Sequence, residues 1–252
     1  YNQRMAITKL ASAPDGTGLV AIDPWLEPYA ERLRHRFQHY QKRRREIIKA
    51  GGSLEAFSRG HLYYGLNRGE RAGRPGVWYR EWAPAAEALF LIGDFNDWNR
   101  SAHPLARDEF GVWSIFLPDD DYAARLTHGS RVKVHVRSAI GPRDRIPAYI
   151  RRTLDEPLTH NFCGQYWSPP QPHVWRHPVP KPTDGLRIYE AHVGMAAEEW
   201  RVGTYREFAD RILPRIARAG YNAVQLMAIQ EHPYYGSFGY QVSNLFAASS
   251  RF

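Results

Sequence analysis

The sequence predicts a multidomain chain of mixed β and α/β class, in which an N-terminal helix precedes a β-sandwich and the start of a parallel α/β domain. First, apolar residues recur at helical spacing between Asp23-Pro24 and Gly51-Gly52. Second, residues 62–166 contain short runs of Val, Trp, Tyr, Phe and Ile separated by clusters of turn-forming residues, a sequence pattern typical of an all-β domain. Third, a proline-rich stretch is followed by an apolar strand, an amphipathic helix and a second apolar strand.

The first element is one long amphipathic helix. Asp23 suits the N-cap, Pro24 suits the first helical position, and the pair Gly51-Gly52 predicts the stop. The net charge of +8 raises the question of a nucleic-acid partner, and residues 42–45 form the one dense basic run. No helix-turn-helix, ribonucleoprotein or zinc-knuckle signature accompanies that run, so we interpret it as a solvated helix face and expect no nucleic-acid partner.

The central β region fits a sandwich of about 100 residues. Its clearest predicted strands are residues 77–82, 88–92, 112–117 and 132–136. In the last of these, polar and apolar residues alternate, which predicts a half-buried strand.

The C-terminal region reads as one βαβ unit. Strands are predicted at 186–191 and 222–229, with a helix at 204–219 between them. Thr204 and Glu207 form a capping box, Gly220 suits the helix end, and Pro214 predicts a kink or two abutting helical pieces. A parallel sheet is unstable with two strands and open edges, so we expect the chain to be truncated. The predicted domains are 1–60 (helical), 61–167 (sandwich), 168–185 (proline-rich linker) and 186–252 (incomplete α/β domain).

Composition excludes several classes of protein. A single cysteine, Cys163, permits neither an internal disulfide nor a thiolate metal cluster, and we expect no metal and no cofactor. There is no apolar run long enough for a membrane span and no secretory signal at the N-terminus, which predicts a soluble intracellular protein without a membrane partner. The eight Trp, fifteen Tyr and eleven Phe often lie beside Gly, Asn or Asp, and such rings suit stacking on the C–H faces of sugars.

Specific motifs resemble a known family. The segments EWAP (81–84), GDFNDWN (93–99) and FGVW (110–113) resemble the immunoglobulin-like carbohydrate-binding module of branching and debranching enzymes in the α-amylase superfamily. The segments RIYEAHVGM (187–195), GYNAVQLMAI (220–229) and EHPYYGSFGYQV (231–242) resemble the first two strands of the (β/α)8, or TIM, barrel of 1,4-α-glucan branching enzymes. The ending AASSRF (247–252) is similar to their eukaryotic-type subgroup.

The resemblance implies a glycosyltransferase that cleaves α-1,4 linkages and transfers the oligosaccharide to a 6-hydroxyl, making α-1,6 branches in glycogen or starch. Such retaining chemistry needs two carboxylates about 5 Å apart. The family's nucleophile Asp, acid/base Glu and stabilising Asp are expected beyond Phe252, so we predict that this fragment binds glucan but is inactive. The implied partner is α-glucan, as glycogen, amylose or amylopectin. We expect a monomer in the cytoplasm, or in a plastid if the source is a plant or alga.

The resemblance also implies glucan-contacting residues. Trp98 is the first choice, because a bulky ring in a turn has few ways to be buried; the alternative is a ring folded over its own sandwich. Lys133 matches a sugar-binding lysine of related modules, with a solvated strand lysine as the alternative. Tyr240 and the adjacent Gln241 lie in the loop after the second barrel strand, where the resemblance makes Tyr240 the stacking platform at the cleavage point. The remaining candidates are two segments: Trp82, Ala83 and Pro84, in which Trp82 is alternatively a core residue, and the turn Glu109, Phe110, Gly111 and Val112.

Two other functions stay open at this point. One is a non-catalytic glycogen- or starch-binding protein, which would lack the three carboxylates in an otherwise intact barrel. The other is a debranching or hydrolytic relative, which would release products without forming new α-1,6 linkages.

Overall fold

A computed structural model describes residues 13–156, 159, 161–181 and 185–252. Parts of the predicted helical segment (1–12) and of the predicted linker (182–184) therefore lie outside the described residues. The chain divides into two compact units, Tyr1–Gly60 and His61–Phe252. No helix in the described ranges combines the length and the apolar composition that crossing a membrane requires.

The described residues of the first unit are mostly helical, in line with the predicted N-terminal helix. It contains 3₁₀ helices at Gly18–Ala21 and Pro24–Tyr29, followed by α1 (Ala30–Gly51) and α2 (Leu54–Ser58). Asp23 caps the start by accepting the N–H of Trp25, and Gly52 ends α1 with a positive φ of 80°. The predicted helix begins with a 3₁₀ turn rather than an α turn, because Pro28 has no N–H to donate to the carbonyl of Pro24.

The second unit begins with the predicted β-sandwich. One sheet has the order β1-β2-β5-β4, and the other has the order β3-β6-β9-β8 with β7 paired to β6; all of these pairings are antiparallel. The strands are β1 (Gly65–Arg71), β2 (Arg74–Trp82), β3 (Ala88–Gly93), β4 (Ala106–Arg107), β5 (Val112–Pro118), β6 (Arg131–Arg137), β7 (Arg143–Arg145), β8 (Thr153–Leu154) and β9 (Cys163–Gln165). Short helices lie at Gly60–Leu62, at Asp94–Asn96 and in α3 (Asp119–Tyr122).

One hydrophobic core joins the two sheets. Val77 and Tyr79 of β2 pack in the same cluster as Leu91 of β3 and Val134 of β6. Because side chains alternate along a strand, the neighbours of the two β2 core residues point the other way. The outward-facing residues of β2 include Trp82, which is 61% exposed and is therefore not a core residue.

Strand β6 differs from its predicted half-buried state. Val132 and Val134 face the core as expected, but Lys133 and His135 on the opposite face are also buried. Lys133 is hydrogen-bonded to Asn161, and His135 is hydrogen-bonded to Asp144 of β7. The sequence pattern of β6 does not reveal these covering residues, because they come from later segments of the chain.

The βαβ unit follows residues 168–181, which form no helix or strand. Strand β10 (Ile188–His192) pairs in parallel with β11 (Ala223–Met227). The connecting helix consists of α4 (Tyr205–Glu207), a π-helical turn (Phe208–Ile212) and α5 (Leu213–Arg218), so the break predicted from Pro214 is confirmed. The predicted capping box between Thr204 and Glu207 is also present. A hairpin of β12 (Gln230–Glu231) and β13 (Asn244–Ala248) follows the βαβ unit. One 3₁₀ turn directly follows β10 (Val193–Met195), and another lies between β12 and β13 (Tyr235–Ser237).

Candidate functional site

An exposed aromatic patch lies at one end of the first sheet. Trp82 ends β2, and Phe110 lies in the turn between β4 and β5, with 61% and 72% of their surfaces exposed. The indole N–H of Trp82 donates to the backbone carbonyl of Phe110 at 3.2 Å. Pro84, also exposed, follows two residues after Trp82. We call Trp82, Pro84 and Phe110 the Trp82 patch.

The turn that presents Phe110 is fixed by its own backbone. One carboxylate oxygen of Asp108 accepts the N–H groups of Phe110 and Val112, at 2.9 and 2.8 Å. Gly111 has φ 79°, and a Cβ atom there would lie 2.7 Å from the Cα of Pro84. Gly111 also accepts the N–H of Ala83 at 3.0 Å. Glycine is required at this position both by the positive φ and by the close approach of the two segments.

Two side chains that the sequence analysis missed hold the Ala83-Pro84 segment. Arg107 donates to the carbonyl of Pro84 at 3.0 Å, and the indole N–H of Trp113 donates to the carbonyl of Ala83 at 2.9 Å. The Asp-Glu-Phe-Gly turn is a sequence signal for Asp108, but no local pattern points to Arg107 or Trp113. Their role follows from the pairing of β5 with its neighbours β2 and β4.

The patch therefore unites the two segments that sequence analysis proposed separately. Trp82, Pro84 and Phe110 contribute apolar surface, and the exposed carboxylate of Glu109 lies beside them in the chain. Ala83, Gly111 and the buried Val112 contribute backbone groups and support. Exposed rings held on a rigid backbone, with polar groups alongside, are suited to stacking against a sugar face.

Trp98 belongs to the other sheet and has different surroundings. It follows β3 in a turn where both Asp97 and Trp98 have positive φ, and its side chain is half-buried. The indole N–H donates to Asp94 at 3.2 Å, and the guanidinium of Arg131 lies 5.8 Å from the ring centroid. Arg131 also binds Asp94 and Glu156. Burial opposes ionisation of Asp94, but the hydrogen bonds from Arg131 outweigh it and lower the pKa of the carboxyl group.

Lys133 lies on the same face of β6 as Arg131, two residues further along. Its side chain is buried, and Nζ donates to Oδ1 of Asn161 at 2.8 Å. The alternative of a freely solvated strand lysine is therefore wrong. Any contact of Lys133 with a sugar has to use the N–H groups that Asn161 leaves available.

Tyr240 and Gln241 lie apart from these sandwich residues in the chain, in the segment 232–243 between β12 and β13. We call this segment the Tyr240 loop. Tyr240 is 83% exposed, and its N–H donates to the carbonyl of Ser237 at 3.0 Å; Gln241 is exposed as well. Within the described part of the chain, no group of three or more His, Cys, Asp or Glu side chains is placed to hold a metal ion.

Comparison with known proteins identifies the sandwich. Residues 63–150 match carbohydrate-binding module 48, described as the isoamylase N-terminal domain. Among solved structures, the pullulanase SAP of Group B Streptococcus aligns with a TM-score of 0.58 at 16% identity, covering 74% of this chain and 28% of that one. The pullulanase of Bacillus acidopullulyticus gives 0.56 at 16% identity, covering 75% and 25%. At this identity the likeness concerns the fold alone.

Curated relatives match at much higher identity. The 1,4-α-glucan-branching enzyme 2-2, chloroplastic/amyloplastic, of Arabidopsis thaliana is 50% identical over 94% of this chain, which covers 29% of that protein. The 1,4-α-glucan-branching enzyme of Dictyostelium discoideum is 45% identical over 98% of this chain, which covers 36% of that protein. The chain thus spans about a third of the length of these relatives. Over nearly its whole length the chain is similar to these 1,4-α-glucan-branching enzymes, and its residues 63–150 match carbohydrate-binding module 48.

Proposed function

We propose that the protein containing this chain is a 1,4-α-glucan-branching enzyme and that this chain supplies its glucan-binding part. The enzyme would cleave α-1,4 linkages and transfer the released oligosaccharide to a 6-hydroxyl of glycogen or starch. The observation that carries the proposal is the exposed Trp82 patch within a module-48 sandwich. Relatives named as branching enzymes, 45 and 50% identical over nearly the whole chain, support the reaction class.

In this proposal the main glucan contact is the Trp82 patch. Trp82 and Phe110 stack on the apolar faces of glucose units, while Glu109 and nearby backbone groups bind hydroxyls. Trp98 and Lys133 make a weaker second contact on the other sheet. The ring of Trp98 is half-buried beside Arg131, and Lys133 already binds Asn161, so both have less free surface to offer.

We further infer that β10, the helix and β11 begin a (β/α)8 catalytic barrel. The parallel pairing of β10 with β11 supports this inference, because barrel strands are all parallel. Tyr240 and Gln241 follow β11 in the chain, as expected for active-site loops, which lie after the barrel strands. No residue of this chain is assigned as the nucleophile or as the acid/base, so we propose that the 252 residues alone leave amylose unbranched.

The remaining parts of the proposal concern assembly and location. We place the protein in the cytoplasm, or in a plastid if the source is a plant or alga, as the chloroplastic/amyloplastic relative suggests. We expect the chain to be monomeric, which light scattering after size-exclusion chromatography can test.

Glucan binding can be tested with the chain itself. The 252-residue chain should co-sediment with glycogen and be released by excess maltoheptaose. Trp82→Ala should lower the affinity about tenfold if sugar stacking resembles base–aromatic stacking in strength. Trp175→Ala removes an indole that is 84% exposed in the proline-rich segment and should bind as the unchanged chain does. Equal glycogen binding by the Trp82 and Trp175 variants would refute the patch as the binding site.

The reaction requires a separate test. A protein that carries this chain together with the remainder found in its relatives should convert amylose into a product with new α-1,6 signals in proton NMR spectra. Release of short sugars without such signals would favour a hydrolytic relative. Glucan binding without any turnover would favour a non-catalytic binding protein.

A further inference from the structure

A fully buried carboxylate, Glu231, lies where the sandwich meets the βαβ region. One of its oxygens accepts the hydroxyl of Thr153, a residue of β8 that is also fully buried. The same oxygen accepts the N–H of Ser250 at 2.9 Å, and the other oxygen accepts the N–H of His232 at 3.2 Å. Burying a carboxylate costs free energy unless donors of this kind hydrogen-bond to it. The hydrogen bond between Thr153 and Glu231 therefore holds the two residues in place relative to one another.

Glu231 also closes the base of the Tyr240 loop. Its backbone carbonyl accepts both the N–H and the hydroxyl of Ser243, at 2.8 and 3.1 Å; Glu231 directly precedes the loop and Ser243 is its last residue. At the start of the loop, Arg251 donates to the carbonyls of His232 and Pro233, both at 3.0 Å. The two ends of the loop are therefore tied to one another, and Glu231 takes part in the tie.

The sandwich holds the same hairpin by apolar contacts. Tyr149 stacks on Phe246 of β13, with ring centroids 4.4 Å apart and planes at 21°. Ala247, the next residue of β13, is buried in the sandwich core. The neighbouring N–H of Ala148 donates to the buried carboxyl of Glu81, the residue before Trp82. Residues 148–153 thus contact both the strand that bears the Trp82 patch and the hairpin that bears the Tyr240 loop.

We propose that Glu231 is a positioning residue, which, through Thr153, fixes the base of the Tyr240 loop on the sandwich so that Tyr240 and the sandwich engage one glucan chain as a rigid unit. The proposal rests on the proposed glucan-binding function, but its structural part can be tested without any sugar. Glu231 itself is buried and acts on glucan only through the placement of Tyr240.

The structural part is tested by amide hydrogen exchange in the 252-residue chain. Thr153→Val removes the hydroxyl donor and keeps the shape of the side chain. This substitution should raise the amide exchange rates of the Tyr240 loop, including Ser243, and of Ser250 at least tenfold. The amides of β3 and β6 should stay protected. Glu231→Gln should act in the same direction, and Thr153→Ser, which keeps the hydroxyl, should restore slow exchange. Thr127→Val removes the hydroxyl of another threonine of the same sandwich, which lies 3.3 Å from the Ser130 hydroxyl and far from Glu231 in the chain, and is the matched control. Unchanged exchange in both the Thr153→Val and Glu231→Gln variants would overturn the proposal.

The functional part is tested by a double-mutant comparison. As a single substitution, Tyr240→Ala should weaken maltoheptaose binding severalfold. Added to a chain that already carries Thr153→Val, it should weaken binding less than twofold further, because a loosened loop no longer presents the ring. A full effect of Tyr240→Ala in the Thr153→Val background would overturn the proposal. If the unchanged chain binds no maltoheptaose, the proposed function fails, and the exchange rates still decide whether Glu231 positions the loop.

Discussion

The two tryptophans proposed for glucan binding, Trp82 and Trp98, differ in what surrounds them. Both lie near the ends of sandwich strands, and each indole N–H has an acceptor. Trp82 borders a turn held by backbone contacts and is 61% exposed. Trp98 lies beside an Asp94–Arg131 ion pair and is half-buried. The ion pair beside Trp98 thus leaves less of that ring open to a ligand, whereas the backbone contacts beside Trp82 leave its ring exposed.

The largest effect should come from the backbone that supports the Trp82 patch. Gly111→Ala places a Cβ atom at φ 79° and 2.7 Å from the Cα of Pro84, so the turn has to move. We expect a loss of about 2 kcal/mol in the free energy of unfolding, measured by urea denaturation, and about tenfold weaker glycogen binding.

Gly73→Ala is the matched control for this change. Gly73 has φ 76°, but nothing lies within 4 Å of an added Cβ atom. It should lose about 1 kcal/mol from backbone strain alone and should keep its glucan affinity. Comparable glucan binding by the two variants would show that the turn at Gly111 does not shape the patch.

A smaller effect is expected at Trp98. Trp98→Ala should lower maltoheptaose affinity by about two- to threefold, below the roughly tenfold loss expected for Trp82→Ala, because part of the Trp98 ring is already covered. It should also destabilise the fold by about 1 kcal/mol, since a half-buried ring is removed. Calorimetric titration and thermal unfolding measure the two effects. A larger loss of affinity at Trp98 than at Trp82 would reverse the ranking of the two sites.

The smallest effect is a pH dependence of the turn that carries Trp98. The side-chain oxygen of Asn96 accepts the N–H of Gly93, so its NH₂ group faces Nδ1 of His103 at 2.8 Å and that nitrogen has to accept. The other ring nitrogen, Nε2, then donates to the hydroxyl of Tyr122 at 2.7 Å. Burial, together with the positive charge of Arg125, lowers the pKa of His103 below its ordinary value of 6.5.

A lowered histidine pKa means that the unfolded chain binds the proton more readily than the folded chain does. The stability that the neutral His103 contributes is therefore complete above pH 6.5 and declines as the pH falls below that value. Urea denaturation at pH 7.5 and pH 5.5 should show a smaller loss for His103→Gln than for the unchanged chain. His173→Gln, at an exposed position, should keep the full loss. Identical pH dependence of all three proteins would refute the role of His103.

Much of the fold could be predicted because it follows from local patterns. The four predicted sandwich strands lie within β2, β3, β5 and β6, and Pro214 marks the break in the crossover helix. The site was predicted less completely. Arg107 and Trp113 position the Ala83-Pro84 segment through contacts across 23 and 30 residues of sequence, which no local pattern encodes.

The sequence by itself determined which segments form strands, turns and helix ends, since these depend on side-chain periodicity and on glycine and proline at particular backbone angles. Only the tertiary structure decided which candidate side chains reach solvent. Lys133 is covered by Asn161, Trp98 lies beside Arg131, and Trp82 stays open. The contact between Thr153 and Glu231 joins residues 78 positions apart. Exposure and such pairings depend on which distant segments pack together, and that is a property of the folded chain rather than of any short stretch of it.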